Sequence, residues 1–242
     1  MLTSEDLLTQ NTMPSWQDIN FQLYKNFSLN YLLNRQFEYH LVNGMVINVE
    51  FKEWAMKHLW AIQHIDKTVD KDLLFSLIDT GLDINTFMSD PIKKNRTLKY
   101  KDRIRMFACI YYVMKSSSIF YVKGGQLEGT KIKIDYIKSA IISEKGMHVG
   151  MRLENDVYVP LTILIDTAID PNKTVKGLYP QKIFKLLIKE NDRIVETVYH
   201  DKYWENPLQT MDNHTYSTKN HIPKCFDANL YIAKLIKTKL KR

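Results

Sequence analysis

The residues best suited to proton chemistry lie in "EFKEWAMKHLWAIQHI", residues 50 to 65. At roughly 100° per residue, Phe51, Trp54, Ala55, Ile62 and Ile65 fall on one apolar arc of a helix, and His58 stands in the middle of it. An imidazole titrates near neutrality, so it both accepts and donates a proton there if the helix borders a cleft. Packed in a core, the same ring is a neutral, hydrogen-bonded filler. His64, six residues on, is turned about 120° away on a continuous helix and is no partner.

A second group of chemically useful side chains is "KKNRTLKYKDRIR", residues 93 to 105, with seven Lys/Arg against the single Asp102. Such a run attracts phosphates wherever it is presented. On a helix over 93–115, Tyr100, Ile104, Phe107, Ala108, Tyr111 and Met114 make the apolar arc. Lys94, Lys101 and Arg105 project from the far side, and Arg103 sits on the edge of the arc, looking sideways into the fold.

The third group is on strands. In "MHVGMRL" His148, Gly150 and Arg152 share a face, and in "VYVPLTILI" Tyr158, Pro160 and Thr162 share one. A three-residue loop over 154–156 pairs Leu153 with Val157, which sets His148 beside Thr162 and Arg152 beside Tyr158 as a polar patch. A two-residue loop shifts the register by one and destroys that pairing.

Other chemistries find no support. His214, His221 and Cys225 match no zinc spacing, and there is no CxxC or HExxH, so neither metal nor other cofactor is expected. Gly124-Gly125 precedes no GK[ST] and reads as a hairpin turn, and the GxSxG elbow of serine hydrolases is absent.

The elements that position these residues follow from periodicity and turn chemistry. Ile19, Leu23, Phe27 and Tyr31 predict an opening helix from Trp16 to about Gln36, capped by Ser15. Asn43-Gly44 between β-prone runs predicts a hairpin leading directly into the His58 helix. Residues 66 to 92 read as short helical pieces and loops. From 118 to 165, β-branched runs broken by Gly124-Gly125, Lys145-Gly146 and Glu154-Asn155-Asp156 predict an antiparallel meander. Residues 182 to 199 add a hairpin, 200 to 225 a loop region and 226 to 240 a terminal amphipathic helix. The expected fold class is therefore α+β: N-terminal helices packed on an antiparallel meander sheet, with a C-terminal helix. Residues 1 to 165 form the core, and 166 to 242 form an extension packed on the same domain.

Composition sets the limits. A chain of 242 residues with 45% hydrophobic content buries an ordinary core. The opening "MLTSEDLLTQ" lacks the cationic start and apolar run of a signal peptide. No stretch approaches the roughly 18 apolar residues that cross a bilayer, so a cytoplasmic protein with no membrane partner is expected. Cys109 and Cys225 are too few for a disulfide framework. Of the net charge of +7, five positive charges lie in the last nine residues, "KLIKTKLKR". The body is close to balanced, which makes the 93–105 cluster the more informative one.

The segment "FKEWAMKHLWAIQHI" resembles the signature of the small metal-independent nucleases of phages and mobile elements in the barnase, EndoU, colicin and RelE-like (BECR) group. In one phage-type branch a hairpin leads into a helix with the pattern F-x-x-x-x-F-x-H-L-x-G. Phe51, His58 and Leu59 fit it, Met56 stands where the second Phe is expected, and Ala61 replaces Gly. "RIRMF", 103 to 107, resembles that branch's Arg-x-x-x-Phe helix, and "YVPLT", 158 to 162, its closing Tyr-x-Pro-x-Ser strand with Thr for Ser. The resemblance spans roughly residues 37 to 165. It implies a metal-independent endoribonuclease, toxin-like or a phage-defence effector, in which a ribose 2′-OH attacks the adjacent phosphorus. His58 is then the proton-transfer residue, Arg103 stabilises the phosphate in the transition state, Thr162 positions or donates to a phosphate oxygen, and Lys123 is a second cation. Lys57, Lys101, Arg105, Arg152, His148 and Tyr158 are the implied RNA-binding groups. The implied partners are RNA and, for a toxin, an antitoxin or immunity protein. Two other readings stay open: a non-catalytic RNA-binding or phage-defence adaptor using the same basic helix, and a protein-interaction module using the terminal helix.

Overall fold

The computed structural model describes residues 1–127 and 132–200, which make up the compact unit that ends at His200. Eight strands occur in it: β1 (Arg35–Leu41), β2 (Val46–Glu50), β3 (Ser118–Tyr121), β4 (Tyr136–Ile142), β5 (Lys145–Glu154), β6 (Val157–Ile165), β7 (Tyr179–Glu190) and β8 (Arg193–Tyr199). Their order is β1-β2-β6-β5-β4-β3-β7, and β7 pairs back onto β1, so seven strands close into a barrel while β8 extends the sheet from β7. This corrects the expected architecture of helices laid on an open meander. The meander β4-β5-β6 is present, but it forms only part of a ring. Closure comes from β7, whose first residues pair with β3 and whose remainder pairs with β1, and from a parallel contact of β2 with β6 at Val49 and Tyr158. A closed ring leaves no unpaired edge among its own strands. The expected terminal helix over 226–240 and the loop region from 201 lie outside the described residues.

The hairpins form where local chemistry asks for them. Ser143-Glu144, Asn155-Asp156 and Asn191-Asp192 all have positive φ at both turn positions, the two-residue turn whose twist matches the flanking strands. Asn155-Asp156 is thus a two-residue loop, Leu153 pairs with Tyr158, and Gly150 with Thr162. The polar patch that required a three-residue loop, His148 beside Thr162 and Arg152 beside Tyr158, does not form.

The helices are short: α1 (Phe21–Phe27), α2 (Glu53–Leu59), α3 (Ile62–Ile65), α4 (Leu74–Asp79), α5 (Ile84–Ser89), α6 (Pro91–Lys99), α7 (Lys101–Met106) and α8 (Ile110–Lys115). The long opening helix is instead α1 followed by a π-helical turn, and the cap is Asn20, whose side chain accepts from the Leu23 N–H. The single helix expected over 93–115 is broken at Tyr100 and again at a 3₁₀ turn over Phe107–Cys109. Its apolar arc nevertheless holds: Ile104, Phe107, Ala108, Tyr111 and Met114 are buried.

Barrel and helices share one core. Phe37, Tyr39, Val49, Met147, Val149 and Ile163 from the strands join Phe21, Tyr24, Trp60, Phe107 and Met114 from the helical segments. Most polar groups in this core find partners, although the Trp60 indole N–H has none. Tyr39 Oη donates to the Met114 carbonyl at 2.8 Å, and Ser116 Oγ to that of Ser139 at 2.9 Å. Lys138 is fully buried, donates to the Ser116 carbonyl and lies 4.8 Å from the Tyr39 ring centroid, and burial holds its amine well below the usual lysine range.

On the barrel's other face, His148 is enclosed. Its Nδ1 lies 2.9 Å from Ser139 Oγ and its Nε2 3.0 Å from Asp166, whose carboxylate also accepts from the Thr174 N–H and hydroxyl. Burial lowers the His148 pKa although Asp166 opposes the shift. The pKa values of His58, His64 and His200 are also lowered, each chiefly by burial. A histidine whose folded pKa lies below its unfolded value contributes stability that is complete above about pH 6.5 and lost as pH falls toward the folded value. The urea midpoint is therefore expected to drop between pH 7.5 and pH 5, a window in which most carboxylates stay ionised. An unchanged or higher midpoint at pH 5 contradicts this.

Candidate functional site

His58 is in the last turn of α2 and is half-buried. The helix ends one residue later because the chain turns left-handed at Ala61, φ 62° and ψ 11°. This is the conformation that glycine adopts at least cost, and it falls at the position where the phage-type pattern has glycine. The reversal starts α3 in a new direction. Trp60 fixes it from below, fully buried between Phe21 and Phe75 at ring distances of 5.9 Å each.

The turn brings His64 back toward His58. The two rings are close enough for each to feel the same cation, Arg103 of α7. Arg103 Nη2 donates to the main-chain carbonyl of His58, and its Nη1 points at His64 Nε2 across 3.5 Å. A guanidinium only donates, so a neutral His64 is the acceptor. The His64 ring stacks on Tyr100, 4.6 Å between centroids and 15° between planes. Arg103 Nε is shut off from solvent without a hydrogen-bond partner.

The electrostatics of this cluster are one-sided. Burial draws the Arg103 pKa down to about 10, which leaves it cationic at neutral pH. Among the described residues no carboxylate pairs with it. Burial, then Arg103, Lys57 and Lys71, lowers the His58 pKa; burial, then Arg103, His58 and Lys99, lowers that of His64. Lys71 and Lys99 are held over Trp54 and Tyr100, 5.7 and 5.8 Å from the ring centroids. The nearby acid Asp66 is already engaged. Burial pushes its carboxyl up, but Lys93 at 2.7 Å and Thr68 pull it down to about 2. A guanidinium with no carboxylate partner, bonded to the His58 carbonyl and set beside the His64 ring with lysines around it, gives this surface a positive potential that attracts anions.

The remaining candidates separate. Lys57 borders the cluster, although its ammonium donates to the carbonyls of Lys67 and Val69 and so pins that loop to α2. Lys101 is exposed in the first turn of α7. Arg105 is not on the far side of its helix but anchors the N-terminal segment, its Nε donating to the Pro14 carbonyl at 2.7 Å. Thr162 is buried on β6 opposite Gly150, and no hydrogen bond joins it to His58 or Arg103 among the described residues. Lys123 is exposed on the 3₁₀ turn Lys123–Gly125 between β3 and β4. Arg152 is paired with Glu154 of its own strand. Tyr158 packs edge-on against Tyr136, 5.2 Å between centroids, and burial raises its hydroxyl pKa. His148 is sealed in the network with Ser139 and Asp166 and meets no solvent.

Sequence reasoning excludes His64 as a partner of His58 and reads Tyr100 only as part of an apolar arc, whereas the structure sets the His64 ring beside Arg103 and on the face of Tyr100. A wheel over residues 50 to 65 runs through Ala61, where the helix has already stopped, and the one sequence signal of that stop is the glycine that the phage-type pattern has at this position.

Comparison of the chain with protein-family models, curated proteins and solved structures gives no match. No described helix is long and apolar enough to cross a membrane. Among the described residues no group of three His, Cys, Asp or Glu is placed to hold a metal ion; His214, His221 and Cys225 lie outside them.

Proposed function

We propose that the protein is a metal-independent endoribonuclease, toxin-like or a phage-defence effector, whose site is built around His58 and Arg103. The observation that carries this reading is Arg103, a guanidinium without a carboxylate, one edge on His58 and the other on His64. In RNA the nucleophile belongs to the substrate. The 2′-oxygen bonds to phosphorus, the P–O5′ bond breaks, and the products are a 2′,3′-cyclic phosphate and a 5′-hydroxyl. The protein has only to move protons and to stabilise the charge that builds on the non-bridging oxygens. His58, kept neutral by burial and by three cations, takes the 2′-hydroxyl proton. Arg103 donates to a non-bridging oxygen. Lys57, Lys71 and Lys99 add positive potential that draws the backbone in without choosing a base. Thr162 and Lys123 keep no assigned step.

Mixed RNA incubated with the native protein in EDTA is expected to be cleaved to fragments with cyclic phosphate ends. Arg103→Met is expected to cleave about 10²- to 10³-fold more slowly, the usual loss when one donor to a developing oxyanion is removed. Cleavage that EDTA abolishes, or that Arg103→Met retains in full, ends this reading.

A non-catalytic RNA-binding adaptor is the rival, favoured by the exposed Lys94, Lys99 and Lys101 along α6 and α7. It predicts steeply salt-dependent RNA binding with no cleavage at any salt. A toxin reading adds growth arrest on expression, relieved by an antitoxin or immunity partner.

A further inference from the structure

We propose that His64 is the second proton-transfer group of this site, delivering a proton to the departing 5′ oxygen while His58 removes the one on the 2′-hydroxyl. The inference rests on the ribonuclease reading above and adds the acid that the reaction needs. A leaving alkoxide is a strong base, so a site with a base alone leaves half of the proton transfer to water.

Geometry selects His64. The left-handed turn at Ala61 places α3 so that its ring shares Arg103 with His58, and a phosphate oxygen that takes the Arg103 Nη1 hydrogen bond releases His64 Nε2 on the same side. His64 is the more exposed of the two rings, so solvent can return its proton after each turnover. Its stacking on Tyr100 fixes the plane of the ring, with Nε2 toward Arg103.

The charged groups around the pair come from each neighbouring element: Lys57 on α2, Lys71 on the following loop, Lys99 at the end of α6 and Arg103 on α7. The nearby acid Asp66 is taken up by Lys93, so the cations act on both imidazoles without compensation and each resists protonation until an anion is bound. The bound phosphodiester supplies the negative charge that admits a proton. His58, the more enclosed ring, stays neutral as the base. His64 carries the proton and passes it to O5′ as the P–O5′ bond breaks.

The test uses two short oligoribonucleotides of the same sequence, one with an ordinary linkage and one with sulfur in place of the bridging 5′ oxygen. A departing thiolate needs no proton. His64→Ala and His64→Gln are expected to cleave the ordinary linkage on the order of 10²- to 10⁴-fold more slowly than native protein. Both are expected to cleave the sulfur-bridged linkage at a rate close to native and to lose the fall in kcat/KM at high pH. His58→Ala is expected to be slow on both. His64 is exposed, so these variants are expected to keep the native melting temperature. Full activity of the His64 variants on the ordinary linkage, or equal loss on both, overturns the assignment. The ribonuclease reading survives that result if native protein still cleaves in EDTA. Native protein inert toward both linkages overturns both.

Discussion

His58→Ala is expected to lower RNA cleavage by on the order of 10²- to 10⁴-fold while RNA affinity at fixed salt stays within about twofold of native. The two effects separate because Arg103 is anchored on the main-chain carbonyl of residue 58 and not on its ring. Alanine keeps that carbonyl, so the guanidinium and its charge stay where they are. The loss then reports the imidazole alone. The substitution has a second signature at His64, whose pKa is lowered by burial and Arg103 and in smaller part by His58. Removing His58 takes away that last repulsion, so the His64 imidazole is expected to titrate at higher pH, followed by the NMR shift of its ring. Single-turnover cleavage and fluorescence anisotropy measure the other two quantities. A rate within tenfold of native, or affinity lost in parallel with rate, assigns His58 to packing or binding.

Trp60→Ala is expected to destabilise the fold by about 3–5 kcal/mol, the range for emptying a large aromatic site that cannot collapse. Trp60 is fully buried and touches four aromatic rings: Phe21 and Phe75 stacked, Phe107 edge-on at 5.6 Å, and Tyr24 at 6.0 Å. These come from α1, α4 and the turn after α7, so the cavity opens at a junction of several elements. The same residue holds the chain just before the left-handed Ala61, and the angle between His58 and His64 depends on it. Trp60→Phe is expected to cost much less, because the indole N–H has no partner to lose. Urea unfolding with an unchanged slope and a shifted midpoint measures both. A loss below about 1 kcal/mol for Trp60→Ala contradicts the packing described here.

Local features were legible because they are written in neighbouring residues. Asn43-Gly44 marks the β1–β2 hairpin, the alternation from 136 to 165 marks β4, β5 and β6, and "KIFKLLIKENDRIVETVY" marks β7 and β8. The nearness of His58 and Arg103 was also within reach, since one stands in the middle of an apolar arc and the other on the edge of a second, both turned toward the fold. Arg105 was misread for the opposite reason. A wheel shows which way a side chain leaves its helix but not that Pro14, far off in the chain, offers it a carbonyl. The strand patch failed on one residue of loop length, since a shift of one in register moves every side chain to the opposite face.

By itself, the sequence determined the hairpins, the apolar arcs and the presence of an ionisable ring inside one arc and a guanidinium on the edge of another, all set by interactions within a few residues. Tertiary structure alone decided that the sheet closes, through β7 on β1 and β2 on β6, because those pairings join segments more than a hundred residues apart and leave no local mark. It also decided that α2 stops at Leu59, ahead of the left-handed Ala61, where packing around Trp60 outweighs the helical preference of the chain, and so that His64 and the His58 carbonyl meet at one arginine.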